Sequence, residues 1–213
     1  MVLAGLGAVD ARRARSAAPG GAGGGYLLRV PRAAGGIVID GDADDSAWTA
    51  GESASARPAR TGPFAAPGGT RATPASEARL LWGDGHLYVL LYAADQDIRS
   101  RGDFFRVTFT TFAALTPHGA PPRTFAFDVG PSGPFPAGVH VAREIDGTVD
   151  DAGDRDEEWL IEMAVPLEPL GLRAARGQAF GFRVLRCDAS ANGAPAAYAG
   201  WGEGSDEGRV VLE

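Results

Sequence analysis

The chain has 213 residues and 45% hydrophobic content, enough for one sizeable β domain or two small ones. Its formal net charge of −7 speaks against nucleic acid or an anionic membrane as the main partner. A single cysteine, Cys187, excludes an intrachain disulfide, and its apolar surroundings read as a buried, inert thiol.

Residues 1–25 read as a low-complexity leader, expected to be disordered, because residues 17–25 are almost all Ala, Gly and Pro. The apolar run 1–9 precedes Asp10, Arg12, Arg13 and Arg15, the reverse of the order in a secretory signal. A second reading is an internal start behind a longer export signal. No segment is long and apolar enough to span a membrane.

A folded domain is expected over 26–213. The first strands are placed at 26–30 and 36–39, where Ile37, Val38 and Ile39 run into an Asp40-Gly41 turn. One helical turn is expected over 44–50, and Trp48 reads as a core anchor. The stretch 49–74, rich in Ala, Gly and Pro, is a surface excursion tacked down by Phe64. Further strands follow at 78–82, 86–94, 104–111, 123–129, 139–144, 158–165, 179–187, 196–201 and 209–212, with a second helical turn at 167–170.

Alternation assigns the faces. Residues 87–92 are apolar on both sides, so that strand is covered on both faces. Phe105, Val107 and Phe109 point to a core, and Arg106, Thr108 and Thr110 point outward. Trp159, Ile161, Met163 and Val165 form another stripe opposite Glu162, as do Phe182 and Val184 in their own strand. Two packed antiparallel sheets satisfy all of these stripes, which makes the fold class all-β: a jelly-roll-like sandwich with one or two helical turns.

Four blocks carry a family resemblance. They are IVIDGDADDSAW from Ile37, ARLLWGDGHLYVLLYAAD from Ala78, EWLIEMAVP from Glu158, and GFRVLRCD from Gly181 with WGEG from Trp201. In this order the chain resembles the family 9 carbohydrate-binding modules and their DOMON-like relatives, over essentially the whole region from Gly36 onward. The resemblance implies a non-catalytic module that binds a saccharide or glycan end, in support of polysaccharide breakdown, as a monomer outside the cytoplasm: secreted, periplasmic or at the cell surface. It also implies two exposed Trp residues clamping a terminal sugar. Here the first clamp position falls within 98–102 and the second within 202–208, and neither segment holds an aromatic residue. Arg106 stands where the family strand carries a Glu.

Site candidates follow from chemistry. Trp201, between an apolar strand and a Gly-rich acidic loop, reads either as core or as a ligand platform. Arg186 and Asp188 lie on one strand face, where they pair with each other or border a polar groove with Arg106. Trp82 and Trp159, like Trp48, read as core. The acidic run Asp40, Asp42, Asp44 offers oxygen ligands for a structural calcium, as family relatives carry; the alternative is plain turn chemistry with an Asp helix cap. The acidic stretch 150–158 reads as a solvated loop.

Catalysis finds no footing: the chain has no G-x-S-x-G, no H-E-x-x-H and no phosphate loop, and no carboxylate pair stands out. Two other classes stay open. A haem-binding electron-transfer sandwich needs axial ligands, with Met163, His86, His118 and His140 as candidates. A degenerate sandwich would serve as a structural or interaction module.

Overall fold

The computed structural model describes residues 26–50, 57–66, 69–112, 121–189, 195–201 and 208–213. The leader 1–25 and His118 lie outside the described residues. The strands are β1 (Leu27–Val30), β2 (Ala59–Arg60), β3 (Ser76–Gly83), β4 (His86–Ala94), β5 (Phe104–Thr110), β6 (Thr124–Val129), β7 (His140–Asp146), β8 (Glu158–Pro166), β9 (Ala179–Ala189), β10 (Pro195–Trp201) and β11 (Gly208–Leu212). The helical content is one α turn, α1 (Ser46–Thr49), and one 3-10 turn over Glu168–Leu170. No helix among the described residues is long and apolar enough to cross a membrane.

A front sheet runs in the order β1-β11-β9-β5-β6, with β10 also on β9, and a back sheet runs β2-β3-β4-β8-β7. The pairs are antiparallel except β1 with β11, which is parallel. The parallel pair departs from the antiparallel expectation, because β1 enters from the far end of the chain and has no hairpin partner.

The tightest turn joins β3 to β4. Asp84 (φ 49°) and Gly85 (φ 87°) both take left-handed conformations, the mirror-image turn whose twist matches that of its strands. It starts β4 at His86, as the sequence reading expects.

The main core lies between the sheets, where Phe105, Val107 and Phe109 meet Trp159, Ile161 and Met163, all fully buried. Phe64 is buried there too, edge-on to Phe105 at 6.2 Å, and so tacks down the excursion before β3. Cys187 is buried.

A second, smaller core covers the outer face of the back sheet. Ala47 and Trp48 pack on Leu81, Tyr88, Leu90, Leu160 and Ala164, with Ile37 and Ile39 against them. This is why β4 is apolar on both faces. The expected strand at 36–39 is not one: the segment lies across the sheet face and joins no ladder. Its polar groups find side chains instead. Val38 N–H donates to Asp45 at 2.8 Å, and Asp40 and Gly41 N–H both donate to Glu162 at 3.2 Å. Trp48 Nε1 donates to the same carboxylate at 2.7 Å. Glu162 is fully buried by this cover, and burial raises its carboxyl pKa although the three donors pull the other way. Gly41 (φ 95°) permits the approach, since a Cβ there would lie 2.7 Å from the Arg143 carbonyl oxygen.

Candidate functional site

Adjacent residues on a strand face opposite ways, and this separates the sequence candidates. Arg186 on β9 is inward, buried between the sheets with 2% exposure. Arg106 on β5 is outward and pairs in register with Leu185, the neighbour of Arg186. The two arginines therefore do not border one groove.

Arg186 is the centre of a buried polar hub. Its guanidinium donates to Ser76 Oγ (3.0 Å), the Ala94 carbonyl (2.9 Å), Asp95 (2.7 Å) and Asp188 (2.6 Å). It lies 5.5 Å from the Trp159 ring centroid, and Trp159 Nε1 donates to Asp95 at 3.1 Å. The expected Arg186–Asp188 pair is present; Asp95, Ser76 and Trp159 are partners that the sequence reading did not join to it.

Asp103 completes the cluster. Its carboxylate accepts the N–H groups of Arg99 and Ala189, each at 2.6 Å, tying the start of β5 to the end of β9. Carboxylate oxygens of Asp95, Asp103 and Asp188 come within 4.8 Å of one another. A hard cation wants six to eight oxygen ligands. Here Arg186 already donates to two of these carboxylates and backbone N–H groups occupy both oxygens of the third, so the arrangement does not fit such an ion. Asp40, Asp42 and Asp44 are exposed and do not converge among the described residues. Asp40 instead accepts the Asp42 N–H at 3.1 Å, and Asp45, at the start of α1, turns its carboxylate back to Val38 and makes no side-chain cap.

Burial pushes the Asp103 carboxyl up to about 7, the facing Asp95 charge adds to this, and its two N–H donors and Arg186 oppose it. Asp188 is raised in the same direction, again first by burial. The unfolded Asp titrates near 3.9. Between about pH 4 and 7 the folded state thus holds more protons at Asp103, and this group's contribution to stability falls as pH rises. Urea midpoints of the protein are expected to show that decline, and Asp103→Asn is expected to flatten it; equal slopes for the two proteins would contradict the assignment.

Trp201 is a core residue, 6% exposed, so the platform reading does not hold. Its inward position on β10 sets the ring 5.5 Å from Tyr26 and 6.0 Å from Phe182, over Gly208, where an added Cβ would collide with it. Met163 is in the inter-sheet core, whereas His86 and His140 sit on the outer side of the back sheet with β8 between them.

The acidic stretch 150–158 is more than a solvated loop. Asp156 is buried and accepts the N–H groups of Ile98 (2.6 Å) and Thr148 (2.7 Å), and Asp150 accepts that of Ser100 at 2.9 Å. These bonds hold residues 97–100 at the end of the sandwich, beside a polar cleft of about 300 Å³ lined by Gln96, Arg155, Asp156 and Glu157.

The outer face of the front sheet carries an exposed charged pair at its β5–β6 side. Arg106 makes a two-pronged pair with Asp128 on β6, Nε and Nη2 each at 2.7 Å, and lies 5.6 Å from the Phe104 ring centroid. Both partners of the pair are exposed. The fold is a two-sheet sandwich with an exposed charged pair on the outer face of the front sheet and a covered outer face on the back sheet.

No family model matches the chain, and no curated protein matches its sequence. Solved structures do match its fold. A family 9 carbohydrate-binding module from Caldicellulosiruptor kristjanssonii, in complex with cellotriose, superposes with a TM-score of 0.57 at 15% identity, covering 88% of this chain and 94% of that one. The same module with glucose gives 0.57 at 16% identity, over 87% and 95%. A protein from Bacteroides uniformis assigned to carbohydrate binding gives 0.52 at 12% identity, over 89% and 100%. The chain has the family 9 carbohydrate-binding module fold.

Proposed function

We propose that the protein is a non-catalytic saccharide-binding module that works outside the cytoplasm, and that its ligand rests on the outer face of the front sheet. The observation that carries the reading is the match in fold, along nearly the whole chain, to a module crystallised with cellotriose and with glucose. The location is supported by the Arg106–Asp128 pair beside Phe104. Paired planar groups of this kind meet sugar hydroxyls two at a time, next to an aromatic ring. Arg106 reverses the sign that the resemblance leads one to expect at its position, and Asp128 pairs with it on the same face. Arg186 serves this site from below: it ties β9 to the end of β4, and Asp188 pairs with it, under the sheet in which β5 lies.

Calorimetric titration with mono- and disaccharides tests the reading. Binding of at least one sugar is expected, and Arg106→Ala is expected to weaken it about tenfold, the loss of one charge-assisted hydrogen bond. No response from the folded protein to any sugar would reject the function; unchanged affinity in Arg106→Ala would reject the location.

A further inference from the structure

The net charge of the chain conceals a segregation. Among the described residues, the charges on the outer face of the front sheet are Arg29, Arg106, Arg183 and Arg209, against Asp128 and Glu213. Among the described residues the outer side of the back sheet is net negative, with Asp40, Asp42, Glu77, Glu144, Asp146 and Glu158 against Arg60 and Arg79. Charges beyond about 8–10 Å are largely screened at physiological salt. A ligand on the front sheet therefore meets the arginines, not the net −7.

Register places three of these arginines in a row. Arg183 pairs with Thr108 and Arg106 with Leu185, so the two are diagonal neighbours across β5 and β9. Arg209 pairs with Gly181, two residues from Arg183, and is its diagonal neighbour across β9 and β11. Such neighbours stand about 7–8 Å apart. Gly181, between them in register, projects no side chain and is itself buried. Arg106 is held by Asp128, and Arg29 by Glu213 at 3.0 Å. Among the described residues, Arg183 and Arg209 have no carboxylate partner; Arg209 lies 5.9 Å from the Phe112 ring. Glu203, Asp206 and Glu207 lie outside the described residues. A row of like charges on a sheet face is destabilising, and an anion spanning it relieves the repulsion.

We propose that this face takes an anionic saccharide, an oligomer of carboxylate-bearing sugars, with Arg183 and Arg209 setting the preference for charge. The proposal rests on the saccharide-binding reading and adds the ligand class. The guanidinium fork matches a carboxylate with two parallel hydrogen bonds, and arginines stepping across three strands meet carboxylates that recur along a chain.

Calorimetric titrations with galacturonate oligomers and with cello-oligosaccharides of the same length decide it. The galacturonate oligomer is expected to bind at least about tenfold more tightly, more weakly as NaCl is raised, and about tenfold more weakly to Arg183→Gln or Arg209→Gln. Arg155→Gln removes the same charge at the end of the sandwich and is expected to leave binding unchanged; circular dichroism confirms that each variant is folded. Equal or tighter binding of the neutral oligomer, or full affinity in both arginine variants, overturns the proposal and leaves the saccharide reading standing. No binding of either oligomer, with binding of a mono- or disaccharide retained, overturns the proposal alone; no response to any sugar overturns both.

Discussion

Replacing Arg186 by Leu is expected to lower the unfolding free energy by about 3–5 kcal/mol, the cost of stranding buried charge. Arg186 is the cation of a cluster that holds Asp95, Asp103 and Asp188 in the interior. Its removal leaves Asp95 and Asp188 facing each other without compensation, and takes the donors from Ser76 and the Ala94 carbonyl. For a protein of this length the midpoint of thermal unfolding should fall by about 6–20 °C. The pH dependence follows from the same charges. Uncompensated buried carboxylates take up protons, so the variant gains stability as pH falls toward 4 and the gap from the wild type narrows. A loss under about 1 kcal/mol at neutral pH, or a gap that widens on acidification, would mean that the guanidinium does not hold these groups.

Trp48→Ala is expected to cost a similar amount, about 3–5 kcal/mol, through the cavity left by a fully buried ring. Trp48 is the plug of the smaller core, and the segment it anchors covers the outer face of β3, β4 and β8. Trp48→Phe separates packing from hydrogen bonding: it keeps an aromatic ring and removes the Nε1 donor to Glu162, for a loss of about 1–3 kcal/mol. Urea unfolding of both variants gives the comparison, and equal losses would show that the hydrogen bond dominates.

These two variants also mark where the sequence was legible. Alternation gives the inward stripes of β5, β8 and β9 correctly, because side-chain period alone decides the face. The Asp-Gly turn places the start of β4. The same rule misleads at 36–39, where three β-branched residues have strand propensity but lie across a sheet rather than beside one. Propensity reports fit to a half-buried surface, not to a ladder. The two-residue strand β2 carries no periodicity at all.

Of the site candidates, Arg186 and Asp188 are two residues apart, and their pairing can be read locally. Asp95 and Ser76 are 91 and 110 positions away in the chain, so the hub needed the fold. Trp201 shows the limit of context: a Gly-rich acidic segment follows it, yet its parity on β10 turns the ring inward, in register with Val184. The arginine row was hidden for a related reason. Arg106, Arg183 and Arg209 are scattered in sequence, and only the pairing of β5, β9 and β11 brings them onto one face.

A saccharide on the outer face of the front sheet would alter the surroundings of the backbone beneath it. Backbone NMR shifts during titration with galacturonate and cello-oligosaccharides test this placement most directly. Perturbations are expected to centre on Arg106, Asp128, Thr108 and Arg183, with little change around Asp40, Glu144 and Asp146. Shifts confined to the back sheet or to the cleft at Gln96 and Arg155, or none at all, would contradict it.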